Sequence, residues 1–169
     1  MSDASTAPDP APGPLDRLAK LAIVIAAAAL VGLVAVQGWQ VFARYVINDS
    51  PSWTEPVTLL LLSTAMSLAA AAGVHTQRHF RFNLLADAAG PRAQRALAAA
   101  SELVVVLIGG FLAVGAARLW LDGLDVRMAG APMPQSIAYL PLALGGALMV
   151  VFGFARLAAA LRPAPGGEG

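Results

Sequence analysis

The chain has 169 residues, 58% of them hydrophobic and 12% charged, with a formal net charge of +1. Soluble domains usually carry about 25% charged residues, so this composition, with a mean hydropathy of +0.70, is that of a membrane protein. The absence of cysteine excludes disulfides, thiolate metal sites and thiol nucleophiles, and basic residues scattered between apolar spans give no nucleic-acid footprint.

In chain order, residues 1–15 (MSDASTAPDPAPGPL) are rich in Pro, Ala, Asp and Ser without apolar period and read as a disordered tail. It lacks a positive n-region, so an uncleaved first span is expected rather than a signal peptide. Leu21 to Ala43 is uncharged, and at about 1.5 Å per residue it reaches roughly 35 Å, enough for the hydrocarbon core. Gln37, Trp39 and Gln40 stand near its far end and Arg44-Tyr45 closes it.

Asn48-Asp49-Ser50-Pro51 has turn chemistry. Two starts compete for the second helix. Ser52 and Glu55 fit a capping box, whereas Thr54 as cap places Pro56 in the first turn, where its missing N–H costs little; Thr54 is preferred. The second span, Pro56 to Val74, carries Ala65, Ala69 and Gly73 on a stripe that invites close helix approach. It ends in His75, Arg78, His79 and Arg81, and Phe80 to Leu85 reads as a short amphipathic helix in the interface.

A third span is expected over about Ala96 to Ala117, with Gly109, Ala113 and Ala117 as a second stripe and Glu102 as its single charge. Pro132 and Pro134 precede a fourth span, Ser136 to Ala155, which Pro141 should kink. Residues 163–169 form a loose tail, so residues 16–162 make one four-helix transmembrane domain in an all-α membrane protein. Eight of the 11 Lys and Arg residues fall on the side of the chain ends, against Arg44, Arg118 and Arg127 on the other. The positive-inside rule therefore puts both termini in the cytoplasm.

Few residues are candidates for chemistry. His75 and His79 share a helical spacing but lack a third ligand, and a haem would need a histidine on a facing helix, so no metal or cofactor is expected. Glu102 is an intramembrane carboxylate and therefore a functional candidate; the competing reading is a structural pair with Arg156 or with the Arg78/His75 end. Arg44 and Glu55 face each other across the hairpin turn as a candidate ion pair. Trp53 is an interfacial anchor or a partner contact. Neither a P-loop nor a nucleophile or zinc-protease motif is present, and no enzyme is expected.

The order Arg44-Tyr45, Trp53-Thr54-Glu55, a small-residue end to span two, Arg78-His79 before an amphipathic segment and Tyr139-Leu140-Pro141 in span four resembles the small membrane subunit of tripartite ATP-independent periplasmic (TRAP) transporters, over roughly Leu15 to Leu161. Pro56 and Asn83 depart from that pattern, where family members often carry acids. The resemblance implies an inner-membrane scaffold that pairs with a large membrane subunit. The large subunit moves the substrate, commonly an organic acid, on a sodium gradient, and a periplasmic substrate-binding protein delivers it. Arg44, Trp53, Glu55, Arg78, His79 and Glu102 are together the candidate interface or structural residues. A membrane anchor of a redox complex and a standalone small carrier or channel are the alternatives.

Overall fold

A computed structural model of the chain describes residues 13–76 and 91–161. It consists of α1 (Pro14–Phe42), a π-helical turn (Ala43–Ile47), α2 (Thr54–Thr76), α3 (Pro91–Asp122), a 3-10 turn (Gln135–Ala138) and α4 (Leu140–Leu161). Each α-helix forms or contributes to a segment long and apolar enough to cross a membrane. The expected interfacial helix over Phe80–Leu85 lies outside the described residues, as do residues 1–12 and 162–169.

The helix starts follow from local chemistry. Pro14 opens α1, where a missing N–H costs nothing, and the Asp16 carboxylate accepts the Gly13 N–H at 2.9 Å. Pro14 and Leu15 thus belong to the helix rather than to the tail. At the far end α1 does not stop at Ala43. It widens into the π turn that carries Arg44 and Tyr45, and Asn48 closes it in the left-handed region at φ 58°, a conformation Asn tolerates better than most residues.

Two expected details are corrected. Thr54 is the first residue of α2 rather than its cap: its hydroxyl donates backwards to Pro51 O at 2.8 Å, and Val57 N–H bonds Trp53 O. Pro56 does fall in the first turn. Pro141 produces no mid-span kink, because a 3-10 turn precedes α4 and Pro141 is only its second residue. In the first turn the ring has no preceding helical carbonyl to strike.

The helices lie in the lateral order α1, α2, α4, α3, with α1 packed on α2, α2 on α4, and α4 on α3. α1 and α2 are antiparallel, as are α3 and α4, so the chain forms two hairpins whose inner helices, α2 and α4, run side by side in the same direction. On α1 the buried stripe is Ala19, Ala22, Ala26 and Ala29. Ala22 and Ala26 meet Leu68 and Ala72 of α2. Between the hairpins, Ala71 and Phe152 are fully buried in one cluster with Ala19.

The small-residue stripe expected on α2 is only partly a packing face. Ala65 is buried, but Ala69 is exposed and Gly73 has open space beside it. Steps of four advance about 40° beyond a full turn, so the two steps from Ala65 to Gly73 walk off the seam. The buried positions instead alternate, with Ala65, Leu68 and Ala72 on one side and Ser67 and Ala71 on the other, because α2 has a neighbour on each flank. Two of the three stripe residues on α3 meet a helix, while Ala117 is only half-buried and Ala116 is the buried alanine there. Gly109 and Ala113 face Gly146 of α4, where an added Cβ would stand 2.7 Å from Ala113 N. Beside it, a Cβ on Gly145 would stand 2.6 Å from Ser67 Cβ of α2. Adjacent glycines thus let α4 approach both neighbours at backbone distance.

Candidate functional site

Polar groups gather at the two ends of the helix row and almost nowhere between. Where the first turn of α1 and the last turns of α2 and α4 meet, four side chains form a belt. Asp16 is the first-turn acid of α1, complementary to its helix dipole, and His75 stands in the last turn of α2. His75 Nε2 lies 2.7 Å from Asp16 Oδ1, and its ring packs on Phe152 with centroids 5.0 Å apart and the planes tilted by 37°.

The second half of the belt lies deeper. Glu102 is only 9% exposed, and its Oε1 lies 2.7 Å from Arg156 Nε. Arg156 also donates from Nη1 to the carbonyl of Val74, in the last described turn of α2. One guanidinium therefore neutralises an acid on α3 and binds a backbone carbonyl of α2 from α4. Of the partners considered for Glu102, the structure pairs it with Arg156. His75 is engaged with α1 instead, and Arg78 and His79 lie outside the described residues.

The opposite end is built from backbone. Residues 123–139 fold back on themselves through Met128 N–H to Met133 O at 2.9 Å and Gln135 N–H to Val126 O at 2.8 Å. Ser136 N–H then bonds Gly123 O at 3.2 Å and ties this loop to the end of α3. The loop reaches the first hairpin at Gly130, whose carbonyl accepts from Ser52 Oγ at 3.0 Å. Gly130 has φ +83°, and a Cβ there would stand 2.6 Å from Ser52 O. Both the conformation and the close approach require glycine.

Three candidate residues stand on this end and none is enclosed. Arg44 and Glu55 are exposed and, among the described residues, do not form an ion pair with each other. Trp53 is 42% exposed and Tyr45, beside Arg44, 79%. The wide π turn sets Arg44, Tyr45, Val46 and Ile47 outward together.

Between the two ends Thr64 and Ser67 of α2 are turned onto backbone. Thr64 Oγ1 bonds Leu60 O at 2.7 Å, and Ser67 Oγ lies 2.7 Å from Ser63 O and 2.9 Å from Pro141 O. Thr58 Oγ1 is the one buried side-chain polar atom without a partner among the described residues.

Sequence reasoning missed the Asp16–His75 pair and the alanine stripe of α1. Both left a signal. Consecutive antiparallel helices of similar span bring their outer ends to one level, which sets a first-turn acid against a last-turn histidine. The alanines at 19, 22, 26 and 29 alternate three and four apart, the spacing that stays on one face.

Among known families, the model described as tripartite ATP-independent periplasmic transporters, DctQ component, matches residues 33–163. That stretch covers well over half of the chain, from the outer part of α1 through the whole of α4. No curated protein matches the chain.

Proposed function

We propose a scaffold role from one premise: this chain belongs to the DctQ family, the small membrane component of TRAP transporters. As such it is a multi-pass inner-membrane protein and a transporter subunit. The family works with a large membrane subunit and a substrate-binding protein. In our reading this chain holds the large subunit in place and offers the binding protein part of its landing surface. The large subunit carries an organic acid through the membrane on a sodium gradient.

One observation supports the scaffold role above others. An anion held within the bilayer needs a cation, a helix N-terminus or a cluster of donors. The charge inside the third span is Glu102, and the arginine nearest to it, Arg156, is already spent on Glu102 and Val74. The hydroxyls of Thr64 and Ser67 are bonded to backbone. Less than a third of each span is buried within the chain, so each helix has broad apolar surface for lipid and a protein partner.

The charge asymmetry supports cytoplasmic ends and a periplasmic Trp53 turn. In that orientation Arg44, Trp53 and Glu55 face the side from which a binding protein docks. With no native cysteine, single cysteines at Ser50 and Asp125 should react with an impermeant thiol reagent in intact cells; labelling confined to a cysteine at Ala93 would reverse the orientation. The scaffold reading is tested by uptake in proteoliposomes reconstituted with and without this chain, beside calorimetry of the purified subunit with organic acids. Uptake should require the chain while the subunit alone binds nothing. Saturable micromolar binding to the isolated subunit, or sodium-driven uptake by it, would overturn the reading.

A further inference from the structure

We propose that the Glu102–Arg156 pair is a register key. It fixes the axial position of the α3–α4 hairpin against the α1–α2 hairpin and contributes specificity rather than stability. The inference concerns the fold of this chain and does not rest on the transport role.

The two seams of α4 are unlike. Against α3, register is set by shape: Gly109 and Ala113 face Gly146, and Gly153 faces Val106 at distances that leave no room for a Cβ. Glu102 and Arg156 continue that antiparallel series one turn further on. Sliding α3 along α4 would drive side chains into backbone. Against α2, the close fit is confined to one place. The close backbone contact is Ser67 with Gly145, and beyond it lie Ala71, Phe152 and Leu148. Lipid tails are as apolar as these side chains, so a slipped apolar seam loses little in a bilayer. What tells one register from the next is polar contact, and among the described residues the α2–α4 seam has two: Ser67 Oγ with Pro141 O, and Arg156 with Val74 O.

Their geometry agrees. Phe152 stands as far beyond Gly145 as Val74 stands beyond Ser67. A helical side chain points back toward its own N-terminus, so Arg156 reaches down one turn to the level of Phe152, which is the level of Val74. A slip of one turn, about 5.4 Å, would take the guanidinium off that carbonyl. Glu102 makes the arrangement tenable, because an unpaired guanidinium at this depth would be costly. Replacing a buried ion pair by apolar groups of similar size is often neutral for stability. The pair's distinct contribution is then the choice of one register.

The test uses the full chain in lipid nanodiscs, with spin-label pairs on its cysteine-free background. Ala69→Cys with Phe154→Cys reports the distance between hairpins; Leu103→Cys with Val151→Cys reports the distance within the second. All four positions are exposed. In the apolar variant Glu102→Leu/Arg156→Met, the between-hairpin distance distribution should become at least about twice as broad. The within-hairpin distribution should stay narrow and the melting temperature should remain near that of the parent. An unbroadened between-hairpin distance would overturn the proposal. So would broadening of both distances alike, or a variant that melts early or fails to fold, since each would make the pair a stabiliser instead.

Discussion

The two ends of this helix row are held by different physics. At the end where the chain begins and finishes, α1 meets α2 through Asp16 and His75, and α4 meets α2 and α3 through Arg156. At the other end the connections are backbone bonds inside one loop and a single hydroxyl-to-carbonyl contact, Ser52 to Gly130. In the first kind, the shielded Glu102–Arg156 pair is heavily penalised when half of it is removed, whereas the Asp16 side chain is 46% exposed and its contact with His75 is screened by water. The second kind degrades gently, because exposed backbone groups find water. Changes at Glu102 and Arg156 should therefore be severe or nearly silent, depending on whether one partner or both are altered, and changes at the loop end should be graded.

The largest effect should come from Arg156→Ala, which leaves Glu102 buried without its partner and exposes the Val74 carbonyl. Breaking a buried pair on one side costs about 3–5 kcal/mol, so unfolding in mild detergent should shift by that amount. A loss below about 1 kcal/mol would mean that the two ends do not differ in kind.

Next comes Gly130→Ala, which combines a left-handed backbone with a clash on Ser52 O. A left-handed conformation alone costs about 1–2 kcal/mol for a residue with a Cβ, and the clash adds to it. Thermal melting should fall while the distances at the charged end stay unchanged. Gly73→Ala is the matched control, since no atom lies within 4 Å of the added Cβ; there, helix propensity favours Ala by up to about 1 kcal/mol.

Ser52→Ala sharpens the comparison further. It removes one exposed hydrogen bond, worth about 0.5–1.5 kcal/mol, and water can replace it. The smallest effect belongs to the Arg44 and Glu55 pair. A double-mutant cycle to Ala on the isolated subunit should give a coupling within about 0.3 kcal/mol of zero, since exposed charges that do not touch couple weakly. A coupling above 1 kcal/mol would restore the ion pair that the residue types suggested.

Much of this fold was legible from the sequence, and the reason is the solvent. A bilayer demands long uncharged runs, so four spans, their turns and their approximate limits could be read directly. The pairing of Glu102 followed the same logic, because an acid at that depth needs a base and Arg156 was among the few within reach. What could not be read is which face each helix buries. In a water-soluble helix the buried face is the apolar one; in α1 and α2 every face is apolar, and the seam is marked only by small residues. That marker misled at Ala69 and Gly73 and went unnoticed at Ala19 to Ala29. Pro141 misled for another reason: its effect depends on whether the helix has already begun, and the 3-10 turn before Leu140 leaves no signature as plain as a proline.

The lateral order α1, α2, α4, α3 has a mechanical consequence. A bundle in which every helix packs on every other braces each rod from several sides, but a row in which α1 and α3 each pack mainly on one neighbour is closer to a palisade. It bends readily about any line parallel to its posts, and only its cross-rails oppose the splaying of one post from the next. Here the rails are the charged belt at one end and the looped latch at the other, with small-residue contacts as the pegs between. A wall of this construction can follow the curvature of whatever larger body it leans against while keeping its posts in order. Its stiffness against bending would then come from that body, so the isolated subunit should be the more pliant of the two states.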